Sequence, residues 1–186
     1  MNEVIQNIIT RRSIRSYNED QISDADLNTI LEAAQFAPSG MSKQNWHFTA
    51  VQNKEKIEKL VSAIKEAMEN SPIEQFKKMA GNPNFNPFYN APTLVITAYD
   101  KNLPTKESDC AVALQNMLLA AHSLNIGSCW IHILALTGDD PKVREILTEL
   151  GIPKDYAVFG TAILGFNSKE EPKATPRKDG TINIVK

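Results

Sequence analysis

Hydrophobic residues recur along the chain with two different periods, and these periods predict an alternation of helices and strands. A spacing of three to four positions predicts helices over residues 2–10, 24–37, 54–69, 106–125 and 139–151. Alternating or continuous apolar runs predict strands over residues 46–52, 93–99, 127–134 and 156–165. Ser23 precedes two acids and is a suitable N-cap, Pro38 ends the helix that follows, and Pro141 lies near the start of the last helix.

The periodicity is lost between residues 70 and 92. This segment contains several prolines, and aromatic side chains are scattered among them: Phe76, Phe85, Phe88 and Tyr89. A long irregular segment within a compact domain is often a functional lid. The alternative is a surface loop whose aromatic side chains seal the edge of the core, and the sequence leaves both readings open.

Two segments need packing or pairing partners that a single chain does not easily provide. The helix over residues 106–125 is apolar nearly all round and rich in alanine, so it needs cover on every side. One domain of this size could provide that cover, and a second subunit would do so more easily. Near the C-terminus, "TINIV" (residues 181–185) alternates like a strand and needs a sheet to join, either its own or a partner's.

Composition and charge narrow the class of protein. The 186 residues suit one domain over residues 1–186, and a formal charge of −2 argues against general nucleic-acid binding. The N-terminus has no signal-peptide pattern, and the apolar stretch 111–126 is too short and too polar for a membrane span. Cys110 and Cys129 are expected as free thiols, which favours a cytoplasmic location.

Common catalytic motifs are absent. The chain has no G-x-S-x-G elbow, no G-x-G-x-x-G and no G-x-x-x-x-G-K, so a nicotinamide cofactor on a Rossmann loop is disfavoured. Its three histidines are not spaced as metal ligands, and we expect no metal site. Cys129 and His132 would point to opposite faces of their predicted strand, which argues against a nucleophile–base pair.

Two polar segments remain as candidate binding sites. In "RRSIRSY", Arg11, Arg12 and Arg15 lie within five positions beside Ser13, with no acid among them. Guanidinium groups and a hydroxyl suit a phosphate dianion, although a solvated basic turn is the alternative. "APSGMSKQNWHF" (residues 37–48) places neutral polar groups between a helix and a strand; they either bind a polar ligand or simply form a turn.

Five segments in order make the chain resemble the FMN-dependent nitroreductase family. They are "RRSIRSY", "APSGMSKQNWHF", "FYNAPTLVI", "ALQNMLLAAHSLNIGSCWI" and the late "PRK". The resemblance implies a nitroreductase-like α+β fold with a central, mostly antiparallel sheet surrounded by helices. It also implies an intertwined homodimer with C-terminal strand exchange and two FMN molecules at the interface. The alanine-rich helix would then form the dimer core.

The same resemblance assigns cofactor-binding residues. Arg11 and Ser13 correspond to phosphate and ribityl ligands, with Arg12 beside them as a further cofactor-binding residue. Arg15 corresponds to a cation near the N1 and O2 edge of the flavin. From the second subunit, the contacting residues would be Pro38, Ser39, Gly40, Ser42 and Gln44. Further contacts are assigned to the strand end Ile131, His132 and Ile133, to the tail residues Arg177 and Lys178, and to Asn70. Gly40, Ser42, Asn45 and His132 depart from common family residues, which affects the substrate assignment more than the FMN assignment.

The activity implied is a ping-pong oxidoreductase. NADH or NADPH would deliver hydride to flavin N5, and a nitroaromatic, quinone or activated alkene would then accept it. The aromatic residues of segment 70–92 are candidates for stacking over that substrate. Two alternatives stay open: a non-enzymatic FMN-binding redox sensor, and a different flavin chemistry on the same fold, such as reductive dehalogenation or flavin breakdown.

Overall fold

The computed structural model describes residues 1–186, which form four strands among seven α-helices and one 3₁₀ turn. The helices are α1 (Glu3–Thr10), α2 (Asp24–Gln35), α3 (Lys54–Glu69), α4 (Glu74–Ala80), α5 (Lys106–Ser123), α6 (Ile133–Thr137) and α7 (Pro141–Glu149). The strands are β1 (Trp46–Val51), β2 (Thr93–Asp100), β3 (Gly127–Ile131) and β4 (Tyr156–Gly165). The 3₁₀ turn spans Gly40–Ser42.

The strands form one antiparallel sheet in the order β1-β2-β4-β3. Trp46 lies opposite Tyr99 in the first pair, and Gly127 lies opposite Gly165 in the last. The two central strands carry the most apolar sequences because both of their faces are covered. The predicted α+β class with an antiparallel sheet among helices is confirmed, and β3 is left as an edge strand.

The sheet separates two hydrophobic clusters. One face packs against α3, α6 and α7, and the other packs against α2 and α5. Alternation along β2 produces this division, since Leu94 and Ile96 belong to the first cluster and Val95 to the second. The predicted long helix α5 buries one side within this protomer, including Ala113, Leu114 and Met117.

Helix starts follow the predicted capping chemistry. The Ser23 side chain accepts a hydrogen bond from Asp26 N at 3.1 Å, and the Asp140 side chain accepts from the first turn of α7. Cys110 and Cys129 are both free and buried, as predicted. Burial raises the pKa of Cys110 to about 12, so this thiol is protonated at neutral pH.

Three predicted boundaries are wrong. The strand predicted over residues 127–134 ends at Ile131, because Leu134 and Thr137 are buried at helical spacing in α6. Short apolar runs such as "ILAL" do not distinguish strand from helix by periodicity. The segment 70–92 contains the helix α4, and α2 ends at Gln35 rather than just before Pro38.

The aromatic side chains of segment 70–92 mainly seal the core. Phe88 is 0% exposed, and Phe76 and Phe85 are half-buried against the same cluster. Tyr89 alone is exposed, at 41%. The hypothesis that Phe88 stacks over a substrate is therefore wrong, because its ring has no accessible face.

Several apolar side chains lie uncovered at the two ends of the chain. Helix α1 has no buried residue, and its large apolar side chains are exposed: Val4, Ile5, Ile8 and Ile9. Residues 181–185 have no regular structure and do not join the sheet of their own chain. None of the helices combines the length and the apolar character needed to span a membrane.

Replacing Phe88 by Ala should lower the free energy of unfolding by about 3–5 kcal/mol, because the change leaves a cavity in a closed core. Urea unfolding of the ligand-free protein measures this loss. Ile73→Ala is the matched control, since Ile73 is an exposed apolar residue of the same segment. Equal, small losses for both variants would contradict the core role of Phe88.

Candidate functional site

The segment between α1 and α2 is fixed against the edge strand β3. Ser13 forms a parallel bridge with Ser128, and Ile14 N donates to Ser128 O at 2.9 Å. Tyr17 bridges to Asn167, just beyond β4, and its hydroxyl donates to Ile14 O at 2.6 Å. We call residues 11–18 the connector; backbone bonds to the end of the sheet hold it in place.

The arginines of the connector have different surroundings. Arg12 Nη1 donates to Ile9 O and to Arg11 O, both at 2.8 Å, so this atom is used locally. Arg11 Nη1 is buried and has no hydrogen-bond acceptor. None of the ion pairs in the chain involves an arginine. An unpaired buried arginine nitrogen is costly, so the Arg11 guanidinium is a candidate binding group for an anion. Arg144 Nε and Nη2 are also buried without an acceptor, but they lie outside the connector.

Arg15 and Cys129 extend this group of polar side chains. The Arg15 guanidinium lies 5.9 Å from the centroid of the Tyr89 ring, within cation–π range. Burial raises the pKa of the Cys129 thiol, while Arg15, a hydrogen bond with Ser13, and Arg11 act in the opposite direction. Arg11, Ser13 and Arg15 therefore all lie near enough to Cys129 to influence its thiol.

The predicted strand-end residues lie further along β3. Ile131 is buried, His132 is exposed, and Ile133 is half-buried at the start of α6. Ile131 follows Ser128 by three residues, or roughly 10 Å of extended chain. The arginine group and this strand end thus occupy one edge of the sheet.

The second polar segment forms a tight loop, which we call the 38–44 loop. Gly40 N donates to the Asp109 carboxylate at 3.0 Å, and Gln44 N donates to Ser39 Oγ at 3.0 Å. Met41, Ser42 and Gln44 all have positive φ angles, an arrangement that costs conformational energy in non-glycine residues. Such strain is common at ligand-binding loops.

The two parts of the predicted site lie at opposite ends of α5. Asn7 donates to Leu119 O, and Thr10 is hydrogen-bonded to His122, which places the start of the connector near the C-terminal end of α5. The 38–44 loop instead contacts Asp109 near the N-terminal end. Thirteen residues of helix separate Asp109 from His122, or roughly 20 Å. One protomer therefore keeps the arginine group and the loop apart.

Three predicted ligands are not brought to either part. Arg177 and Lys178 lie in the exposed tail, where Arg177 hydrogen-bonds only to Thr175 O. Asn70 is the exposed C-cap of α3, and its backbone N–H donates to Glu66 O. Their roles stay predictions.

The structure gives Asp109 and Tyr89 contacts with candidate site residues that the sequence patterns did not predict. Asp109 reads as an ordinary first-turn acid, and no spacing signal connects it with Gly40. The sequence leaves Tyr89 as one of four aromatic candidates, and only the fold places the Arg15 guanidinium over its ring. No group of three or more His, Cys, Asp or Glu side chains has a geometry suited to a metal ion. The chemistry that these residues offer is anion binding together with hydrogen bonding.

Comparison with known proteins gives one consistent family. The model of the family described as "Nitroreductase family" matches residues 8–166. A nitroreductase with bound FMN from Bacteroides fragilis NCTC 9343 superposes with a TM-score of 0.97, at 44% identity over 100% of both chains. Another nitroreductase with bound FMN, from Desulfitobacterium hafniense DCB-2, has a TM-score of 0.88 at 28% identity, again over 100% of both chains.

A curated relative is similar along most of its length. The protein of Bacillus subtilis (strain 168) named FMN reductase [NAD(P)H] is 42% identical over 191 aligned residues. That alignment covers 98% of this chain and 73% of the relative.

Proposed function

Because the chain belongs to the nitroreductase family, we propose that it is an FMN-dependent oxidoreductase that uses NADH or NADPH to reduce a small acceptor. When bound, FMN supplies hydride-transfer chemistry at its N5 atom, in two half-reactions that share one site. The observation that carries the proposal is the buried Arg11 Nη1, which has no acceptor in a group that also contains Ser13 and Arg15.

The connector would hold the phosphate. Arg11 offers a guanidinium fork and Ser13 a hydroxyl, and charge-assisted hydrogen bonds of this kind are short and strong. The backbone bonds between the connector and β3 would keep both donors in place before the ligand arrives. Arg12 contributes mainly by holding the end of α1, since its Nη1 bonds to two carbonyl groups.

Arg15 would tune the site electrostatically. Its positive charge lies beside Tyr89 and Cys129, and no carboxylate neutralises it. A fixed cation stabilises negative charge that develops on a bound group, which favours the reduced state of an electron carrier. We propose that the exposed Tyr89 and His132 face the incoming acceptor. The acceptors we propose are nitroaromatics, quinones and activated alkenes.

A second protomer would complete each site. The 38–44 loop lies roughly 20 Å along α5 from the connector, so Pro38, Ser39, Gly40, Ser42 and Gln44 would serve the FMN bound at the partner's connector. The exposed apolar face of α1 offers surface for such a homodimer. Residues 181–185 would add a strand to the partner's sheet, carrying Arg177 and Lys178 across the interface. We place this dimer in the cytoplasm.

Steady-state turnover tests the proposed activity. The protein reconstituted with FMN should oxidise NADH or NADPH in the presence of a quinone or a nitroaromatic compound, at a rate well above that of free FMN. Absorbance at the nicotinamide band measures the reaction. Tight FMN binding without turnover would favour the redox sensor, and halide release or flavin fragmentation would favour the other flavin chemistries. A chain that binds no FMN would contradict all three.

Replacing Arg11 by Ala should weaken FMN binding by ~1.5–3 kcal/mol, or roughly tenfold to above a hundredfold, because a charge-assisted phosphate contact is lost. Quenching of flavin fluorescence on titration measures this affinity. Arg12→Ala is the matched control: it removes the same charge from the next position, and we expect a smaller loss. Equal losses for both variants would indicate a general charge effect, while unchanged affinity in Arg11→Ala would restore the solvated-turn reading.

Mixed dimers test whether two subunits share each site. Gly40→Ala should displace the 38–44 loop, because a Cβ at this position would lie less than 3.0 Å from three side-chain atoms of Thr105. A dimer of one Arg11→Ala chain and one Gly40→Ala chain, purified through two different tags, then has one site with both defects and one with neither. We expect it to recover about half of the wild-type activity, whereas each variant homodimer has little. If one chain supplied the whole site, the mixed dimer would recover nothing.

A further inference from the structure

Asp109 is an unusual residue in this protein, because it is the only charged side chain that is buried. It is 4% exposed and makes no ion pair. Its carboxylate accepts hydrogen bonds from Gly40 N at 3.0 Å and from Thr105 Oγ1 at 3.1 Å. Burying a carboxylate is costly even with such partners. Helix stability alone does not explain this cost, since the exposed Glu107 lies in the same first turn and is equally suited to the helix dipole.

The contact at Asp109 joins two strained pieces of backbone. On one side is the 38–44 loop, with positive φ angles at Met41, Ser42 and Gln44. On the other is Thr105, with φ of 58°, immediately before α5. The two pieces approach so closely that Gly40 has no room for a Cβ beside the Thr105 side chain. The Asp109 carboxylate therefore anchors the 38–44 loop to the start of α5 through its hydrogen bonds.

We propose that Asp109 is a positioning residue, whose buried carboxylate fixes the 38–44 loop so that the loop contacts the flavin bound by the partner subunit. This inference rests on the proposed function. The backbone N–H of Gly40 is satisfied by Asp109, and the Ser42 and Gln44 side chains beside it are exposed. Since α5 is rigid, the same carboxylate also sets the distance from this loop to the connector at the other end of the helix.

Three substitutions within one helical turn separate positioning from general helix effects. Asp109→Ala leaves the Gly40 N–H without its acceptor, and we expect FMN affinity to fall about tenfold. Asp109→Asn keeps an oxygen for Gly40, and Thr105 Oγ1 can accept from the new amide, so affinity should stay within about twofold of wild type. Glu107→Ala, which removes an acid from the same turn without touching the loop, should leave affinity unchanged. Fluorescence titration measures all three.

A second set of variants tests the contact between the 38–44 loop and the start of α5, even if Asp109→Ala does not fold. Gly40→Ala should weaken FMN binding through the clash with Thr105, and Thr105→Gly should relieve that clash, because glycine accepts the positive φ at position 105 without strain. The double variant should bind FMN about as tightly as Thr105→Gly alone. Failure of Thr105→Gly to rescue Gly40→Ala would overturn the proposed docking of the loop on α5.

Mixed dimers distinguish this inference from the proposed function. An Asp109→Ala chain paired with an Arg11→Ala chain should recover about half of the wild-type activity, because Asp109 acts through the loop on the opposite flavin. Suppose that the mixed dimer of Arg11→Ala with Gly40→Ala recovers activity and the mixed dimer of Arg11→Ala with Asp109→Ala does not. Asp109 then acts within its own site, so this inference is wrong while the proposed function still stands. Wild-type-like affinity in folded Asp109→Ala would also overturn this inference. A wild-type chain that binds no FMN would instead refute the proposed function.

Discussion

The site depends above all on one constraint: a buried guanidinium nitrogen without an acceptor, such as Arg11 Nη1, cannot be left in a folded protein at no cost. Arg11 is held in that condition because the connector is bonded to the edge strand β3 through Ser13, Ile14 and Ser128. The unpaired nitrogen therefore lowers the stability of the ligand-free fold, and an anion bound there, as we propose, would remove that cost.

Helix α5 imposes the second constraint, which is one of distance. Hydrogen bonds to Leu119 and His122 fix α1 near one end, and Asp109 fixes the 38–44 loop near the other. A helix does not shorten, so α5 keeps these two groups at opposite ends of its length within one protomer. In the homodimer that we propose, each α5 would present its N-terminal end to the partner's connector.

Sequence patterns predicted the element types well, because long periodic segments report which faces are buried. They failed where a short apolar run allowed two structures, as at residues 132–134, and where a proline-containing stretch concealed the helix α4. Phe88 could not be separated from Tyr89 by composition, because burial depends on which side of a turn each ring occupies. The link between Asp109 and Gly40 crosses 69 positions, and no local pattern reports a contact of that kind.

The uncovered apolar side chains and the incomplete site have a common physical explanation. Val4, Ile5, Ile8 and Ile9 on α1, and Ile182, Ile184 and Val185 in the tail, all lie in water in the single chain. Burying a large aliphatic side chain contributes about 1.5–3 kcal/mol, so covering even half of them would offset much of the cost of association. The surfaces that need cover lie at the two ends of the chain, and these ends also carry Arg11 and Arg177. Dimerisation driven by the hydrophobic effect would thus assemble the anion site, which links the stability of the protein to its capacity to hold a cofactor.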